Sequence, residues 1–434
     1  MTPLMAAIIG IVLAFVLMFL RMPIALAFSA IGFAGVWYLR GLSAALSTLG
    51  TVPYANMTVY IWTVVPLFIL MGYLTMETKL AEEFYVGVRK WVGHYRGGLA
   101  ATVVLGSAGF GAASGDVIGS AVTFTAISLP EMRKFKYADT LTVGTVAAGS
   151  NLSMLIPPSL GFILYGAITE VSIGKLFAAG ILPGILLALM FLGVIYMECR
   201  LNPALGPPLP VVSWQERLAG SKGMWALILL FVIIIGGLYI GLFTPTEAAA
   251  VGAFFVLVLG LIRERLDWNG FKKSLLDAGV TTSMVGFLLI GTMIFNVFVV
   301  ISGLPREIAT FIAGLAVPPV VIMGVVLLVY LLLGTFMDAL AMVLLTVPIF
   351  FPVVTNLGYD PIHFGVLIVI MMTMGHITPP FGIVGFAIHG VAPDVPLFTI
   401  FRGAAPFLIA MLICLLLVLF FPQIATFLPR YMMG

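Results

Sequence analysis

"GHITPPFGIVGF" runs from Gly375 to Phe386, in the middle of an apolar stretch that otherwise reads as helix. One proline inside a helix costs about 3 kcal/mol, and here two stand side by side. "MLIPPSLGFIL", Met154 to Leu164, makes the same break earlier, and the interval from Pro157 to Pro379 is 222 residues. A chain that ruptures itself twice inside oily segments has to gain something from the rupture.

Composition sets the class. Of 434 residues 62% are hydrophobic and 9% charged, far more apolar than a soluble chain. Apolar runs long enough to cross a bilayer core recur along the whole length, without the alternation of a membrane barrel. The expectation is an all-α polytopic membrane protein with no soluble domain. The longest polar stretch, Glu198 to Lys222, is short and proline-rich. Cys199 and Cys414 suggest no disulfide framework. No basic region precedes the first apolar run, so no cleaved signal peptide is expected. The net charge of +3 is spread over loops, which excludes a nucleic-acid surface.

The 222-residue offset pairs other rare residues: Pro23 with Pro245, Asp116 with Asp338, Pro130 with Pro352, Tyr137 with Tyr359, and Pro158 with Pro380. This predicts two repeats, residues 1–222 and 223–434, an organisation typical of transporters. Lys and Arg orient them. The apolar excursion 97–130 is flanked by Lys79, Arg89, Lys90 and Arg96 on one side and Arg133, Lys134 and Lys136 on the other. Both flanks should be cytoplasmic, so the excursion reads as a re-entrant hairpin bent near "GAASGD", Gly111 to Asp116. Its counterpart 319–352 has flanks, "IAGLAVP" and "VVTNLGYDPIH", without Lys or Arg. That predicts a second hairpin from the outer face, bent near "GTFMD", Gly334 to Asp338, and two inverted halves. Five crossings per half are expected: 4–20, 23–39, 59–77, 138–169 and 176–197, then 226–242, 245–262, 274–302, 362–392 and 398–420. Ala81 to Tyr95 reads as an interfacial helix on the inner face.

The segment 138–169 would be about 48 Å long as one helix, well beyond a bilayer core. Broken helices 138–169 and 362–392 explain both the length and the prolines. Unwound backbone at membrane depth survives only inside protein or beside water. The expectation is therefore that Gly149 to Pro158 and Gly375 to Pro380 are buried loops, with proline opening each second half-helix. The carbonyl ends suit a small cation and the N–H ends a carboxylate. Ser150, Asn151, Ser153 and Ser159 add polar groups to the first loop, and Thr373, His376 and Thr378 to the second. A cation and an organic anion meeting at mid-membrane suggest a sodium-coupled carboxylate carrier.

Asp116 and Asp338, near the hairpin tips, are open to three readings: sodium ligands, a proton relay, or caps of the returning arms. His376 is either a ligand or a packed histidine. Glu247, after Pro245, is open to two readings, a membrane carboxylate in the functional path or, the favoured one, a helix-start residue.

"RMPIALAFSAIG", "SIGKLFAAGILPG", "GLFTPTEAAAVGAF", "FMDALAMVLLTVPIFFPV", "GYDPIHFGVLIV" and "GHITPPFG", in order across the chain, resemble the large membrane subunit of tripartite ATP-independent periplasmic (TRAP) transporters. The resemblance implies a bacterial or archaeal inner-membrane protein of the ion-transporter superfamily, with two inverted repeats and an elevator mechanism. It implies import of small organic anions, such as dicarboxylates, sugar acids or sialic acid, with two or more sodium ions and no organic cofactor. The implied partners are a separate small four-helix membrane subunit and a periplasmic substrate-binding protein. Sodium would sit among Ser114, Gly115, Asp116, Asn151 and Pro157 in the first half, and Gly334, Asp338, Gly375 and Thr378 in the second. Substrate would meet Ser114, Asn151, Ser153, Ser159, His376 and Thr378. The chain departs from the family pattern at Asp116 and Val117, where hydroxyls are usual, at Met371, where asparagine is usual, and at His376, where the family is apolar.

Two rival functions remain for comparison. One is proton coupling through Asp116, His376 and Asp338. The other is an intramembrane aspartyl protease, whose carboxylates must share a proton a few ångströms apart. The two aspartates stand on hairpins expected from opposite faces, which speaks against it. No metalloprotease motif or phosphate loop appears.

Overall fold

The structure is a computed structural model describing residues 1–314 and 317–432. Leu315 and Ala316, in the flank "IAGLAVP" ahead of the second hairpin, lie outside the described residues. Among the described residues every regular element is helical. The first half comprises α1 (Pro3–Phe19), α2 (Ile24–Arg40), α3 (Leu42–Met57), a 3-10 turn (Tyr60–Thr63), α4 (Val64–Glu77), α5 (Leu80–Val92), α6 (Gly98–Ser114), α7 (Val117–Lys134), α8 (Asp139–Leu155), α9 (Leu160–Thr169) and α10 (Ile173–Leu201). The second comprises α11 (Trp214–Phe231), a π turn (Val232–Gly236), α12 (Gly237–Tyr239), α13 (Pro245–Ile262), α14 (Trp268–Ile301), α15 (Leu304–Ala313), α16 (Pro319–Phe336), α17 (Ala339–Asn356), α18 (Pro361–Ile377), α19 (Ile383–Val391), α20 (Leu397–Phe420) and α21 (Gln423–Met432). Nine stretches among the described residues are long and apolar enough to cross a membrane.

All ten runs read as crossings fall on helix, and α5 coincides with the interfacial segment. Moved on by the 222-residue offset, the bounds of α7 and α8 land on those of α17 and α18, and α6 lands within one residue of α16. One region breaks the match. Where the first half has α3, the 3-10 turn and α4, the second has α14 alone, 34 residues without interruption, or about 51 Å.

Three further helical stretches lie outside the ten expected crossings. Leu42–Met57, taken as a connection, is a helix. Its hydroxyls hid it: Thr48 and Thr51 donate back to the carbonyls of Ala44 and Ser47, at 2.8 and 2.7 Å, so a polar-looking segment satisfies itself. The polar stretch 198–222 is helical at both ends. Ser213 and Glu216 form a capping box that starts α11 at Trp214. Finally, α21 follows α20 as a short helix near the C-terminus.

Broken helices form the centre. In α8 every residue from Leu141 to Leu155 is buried, and in α18 every residue from His363 to Ile377. Helices buried on every side are the interior of the molecule, and the Thr, Ser and Asn side chains within that stretch of α8 are enclosed with it. The hairpin α6–α7 packs on α8, and the hairpin α16–α17 packs on α18. The halves then interlock: α9 lies against α17, α19 against α7, α8 against α20 and α10 against α18. Around this unit, α14 crosses α2, α3 and α4, with α13 on α4.

Ion pairs and backbone bonds gather the basic loops at one end. Arg263 reaches Glu83 at 2.7 Å and Lys273 reaches Glu77 at 3.1 Å. Gly97 N–H donates to the Gly206 carbonyl and Ala138 N–H to that of Leu205. Arg133 bridges Asp139 and Asp394, at 2.8 and 2.7 Å. The guanidinium holds the Asp394 carboxyl below the usual carboxylate range.

Candidate functional site

Each hairpin turns on a cap. The left-handed Gly115 (φ 61°) ends α6, a conformation that suits glycine. Asp116 then caps α7: its carboxylate accepts from Gly119 N–H at 2.6 Å and Ile118 N–H at 3.3 Å. Asp338 caps α17, accepting from Leu340 N–H at 3.0 Å. Both carboxylates thus take the capping role left open by the sequence. A carboxylate has about four acceptor sites, so capping does not exhaust either.

The two tips meet. A cavity of about 330 Å³ is lined by Ser114, Asp116 and Gly119 from the first hairpin and by Asp338 and Leu340 from the second. Leu160, the first residue of α9, lines it too, and α4 and α14 form its far wall. This corrects the expectation that hairpins from opposite faces hold the carboxylates apart. Ser114 is 6% exposed and its Oγ has no hydrogen-bond partner. Across the cavity the Tyr73 and Thr281 hydroxyls join at 2.8 Å, linking α4 to α14. Sequence reasoning passed over both. They lie in helices with no break, and the repeat offset pairs neither with a polar residue. The lining contains no Lys, Arg or His.

The breaks are shorter than expected. Gly149–Leu155 and Gly375–Ile377 are helical, and only 156–159 and 378–382 leave the helix. Both upstream helices stop two residues before their Pro-Pro pair. Proline bars the helical conformation at the residue just before it and leaves earlier turns intact. Nor does proline open the second half-helices. Ser159 caps α9 and Gly382 caps α19. Both Pro-Pro bonds are cis.

The remaining candidates stand around these breaks, outside the cavity lining. Ser159 donates to the Met154 carbonyl across the first break and accepts from Phe162 N–H. Asn151 donates to the Ala147 carbonyl at 3.1 Å, while its Oδ1 is buried and unpartnered. Ser153 donates to the Ser107 carbonyl on the hairpin arm at 3.4 Å. Ser150, Thr373 and Thr378 donate within their own helices, to Ala147, Ile370 and Met374. His376 is 1% exposed and neither ring nitrogen has a partner. Met371 and Val117 are buried.

Tips and breaks touch backbone to backbone. A Cβ on Gly115 would stand 2.8 Å from the Pro158 carbonyl oxygen of the first break. A Cβ on Gly375 would stand 2.6 Å from Gly334 Cα. Pro158 therefore lies against the first tip, and Gly334 and Gly375 bring the second hairpin onto α18. Glu247 is placed as read: it forms a capping box with Thr244 at the start of α13.

Comparison with known proteins assigns this architecture. The family model described as "Tripartite ATP-independent periplasmic transporter, DctM component" matches residues 11–424. The C4-dicarboxylate TRAP transporter large permease protein of Pseudomonas aeruginosa is 37% identical over 375 residues, covering 86% of this chain and 87% of that protein. The sialic acid TRAP transporter large permease protein of Vibrio cholerae is 34% identical over 422 residues, covering 96% and 97%. The crystal structure of the Alcanivorax borkumensis YdaH transporter shares the fold, with a TM-score of 0.55 at 16% identity over 86% of this chain and 88% of that one. With these matches running nearly end to end, the chain belongs to the DctM component family of tripartite ATP-independent periplasmic transporters, as a multi-pass inner-membrane permease subunit rather than an enzyme.

Proposed function

We propose that this subunit imports a small organic acid by sodium-coupled secondary transport. The observation that carries the reading is the convergence of both hairpin tips on one cavity. The N-termini of α7, α9 and α17 reach it through Asp116, Leu160 and Asp338. Three helix N-termini supply roughly half a positive charge each, which the two aspartates outweigh slightly when both are ionised. Bound cations would reverse that balance and admit an anion, which is the electrostatic content of symport. The relatives named for C4-dicarboxylates and sialic acid support an organic acid as cargo.

In this reading sodium binds where each tip abuts its facing break: Ser114, Gly115, Asp116, Asn151 and the Pro157 carbonyl in one half, Gly334, Asp338, Gly375 and Thr378 in the other. Substrate lies beside Ser114, with the groups of Asn151, Ser153, Ser159, His376 and Thr378 behind it. The halves 1–222 and 223–434 are inverted repeats, and the basic end is cytoplasmic. The two hairpins and broken helices move as one body against the α4–α14 wall, the elevator scheme. A small four-helix membrane subunit and a periplasmic binding protein complete the transporter.

The test is uptake by proteoliposomes containing the chain and its partners. Asp338→Asn keeps a capping side chain and removes a charge. Sodium-dependent uptake is expected to fall about tenfold or more, as loss of roughly 1.4 kcal/mol of ion binding requires. Unchanged uptake and sodium dependence would remove Asp338 from the site. One observation favours a second reading, proton coupling: two carboxylates share a cavity without a basic side chain. Uptake driven by a proton gradient in sodium-free buffer would select it.

A further inference from the structure

A second cavity, of about 610 Å³, lies between the start of α6 and the last turns of α10. Its floor is apolar, with Leu105 from one helix and Leu192 from the other. Its head carries Tyr95, Arg96, Tyr196 and Arg200. The Arg200 guanidinium lies 5.9 Å from the Tyr196 ring centroid and within 3.5 Å of its hydroxyl. Arg89, Arg133 and Arg263 at this same end pair with carboxylates, whereas Arg96 and Arg200 make no ion pair among the described residues. Beside Arg96 the backbone is anchored, with Gly97 N–H donating to the Gly206 carbonyl at 2.9 Å.

We propose that this groove holds an anionic phospholipid, with its phosphate between Arg96 and Arg200 and an acyl chain along Leu105 and Leu192. The chemistry selects that occupant. Two guanidinium groups without a carboxylate partner attract an anion, and their planar forks match phosphate oxygens. A free anion leaves the apolar trough empty, and a neutral lipid leaves the charges unanswered. Tyrosines at the mouth suit the level of the headgroups, and basic pockets between membrane helices take anionic headgroups at the cytoplasmic side. The site opens at the start of α6, whereas the first hairpin tip lies at the end of that helix, and it assigns the α6–α10 surface a lipid partner.

The probe is phosphatidylglycerol, compared with phosphatidylcholine of the same chains, retained by the full-length protein in detergent and counted by native mass spectrometry. Wild type is expected to retain phosphatidylglycerol in preference to phosphatidylcholine. The double variant Arg96→Gln/Arg200→Gln should bind phosphatidylglycerol about thirtyfold more weakly, given roughly fivefold per arginine beside an anionic headgroup. Leu192→Trp, which fills the trough and keeps both arginines, should also lose it. Equal retention of phosphatidylglycerol by wild type and both variants overturns the proposal. So does displacement of the lipid by millimolar glycerol phosphate, which would mark a site for the headgroup anion alone.

Discussion

Asp116 accepts from two backbone amides and Asp338 from one, so each aspartate holds a helix end and also lines the cavity. The two roles separate by substitution. Asp116→Ser keeps a capping oxygen, and a thermal melt should shift little. Asp116→Ala removes it and should cost about 1 kcal/mol; equal melts for the two variants would deny the cap. Uptake reads the other role, because both substitutions remove the same charge. The sequence showed that Asp116 and Asp338 were costly enough to matter, and their spacing from the tips allowed a cap. It could not show that they share a space. That depends on how two hairpins far apart in sequence are packed. For the same reason Tyr73 and Thr281 were invisible: a hydroxyl in an apolar helix carries no mark of the partner it will meet.

Among the elements, the broken helices were the most legible and their extent was misread. Pro-Pro announces a rupture, but its steric reach runs only to the residue before it, so Asn151, Ser153 and His376 remain on helix. The contact that seats the second hairpin on α18 is glycine against glycine. Gly375→Ala would place a methyl 2.6 Å from Gly334 Cα, an overpacking that costs about 1–3 kcal/mol. A lower melting temperature and weaker uptake are the expected outcomes, and a melt identical to wild type would show that the hairpin yields. The capping box Ser213–Glu216 was readable too, since Ser-x-x-Glu precedes an apolar run. It went unread because the prolines upstream suggested a loop. Ser213→Ala should unravel the first turn of α11, at about 1 kcal/mol, and faster amide exchange at Gln215 and Glu216 would report it.

At the level of the whole molecule, the 222-residue offset carried most of the architecture. It worked because rupture, hairpin and cap recur with little insertion between them. Cysteines placed singly at Lys134 and Asn356 test the proposed inversion, and the natural background is low because Cys199 and Cys414 are buried. Labels that cannot cross the membrane should reach the two positions from opposite sides; labelling of both from one side would end the two-copy picture. Arg133 is also a test at this scale, since it joins Asp139 of one half to Asp394 of the other. With the Asp394 carboxyl held low, the link is present at neutral pH and is lost as pH falls through that lowered value, below the usual carboxylate range. Arg133→Gln should therefore lower the melting temperature at pH 7 and make little difference once Asp394 is protonated. The outer wall, by contrast, is not the same in the two halves. One side is jointed at the 3-10 turn between α3 and α4, and the other is a single 34-residue rod. A shuttle running between identical rails would dwell equally at either terminus. In the proposed elevator scheme unequal rails tilt the track, so the unloaded carrier would have a home station and the proposed ion coupling would have to drive the climb away from it.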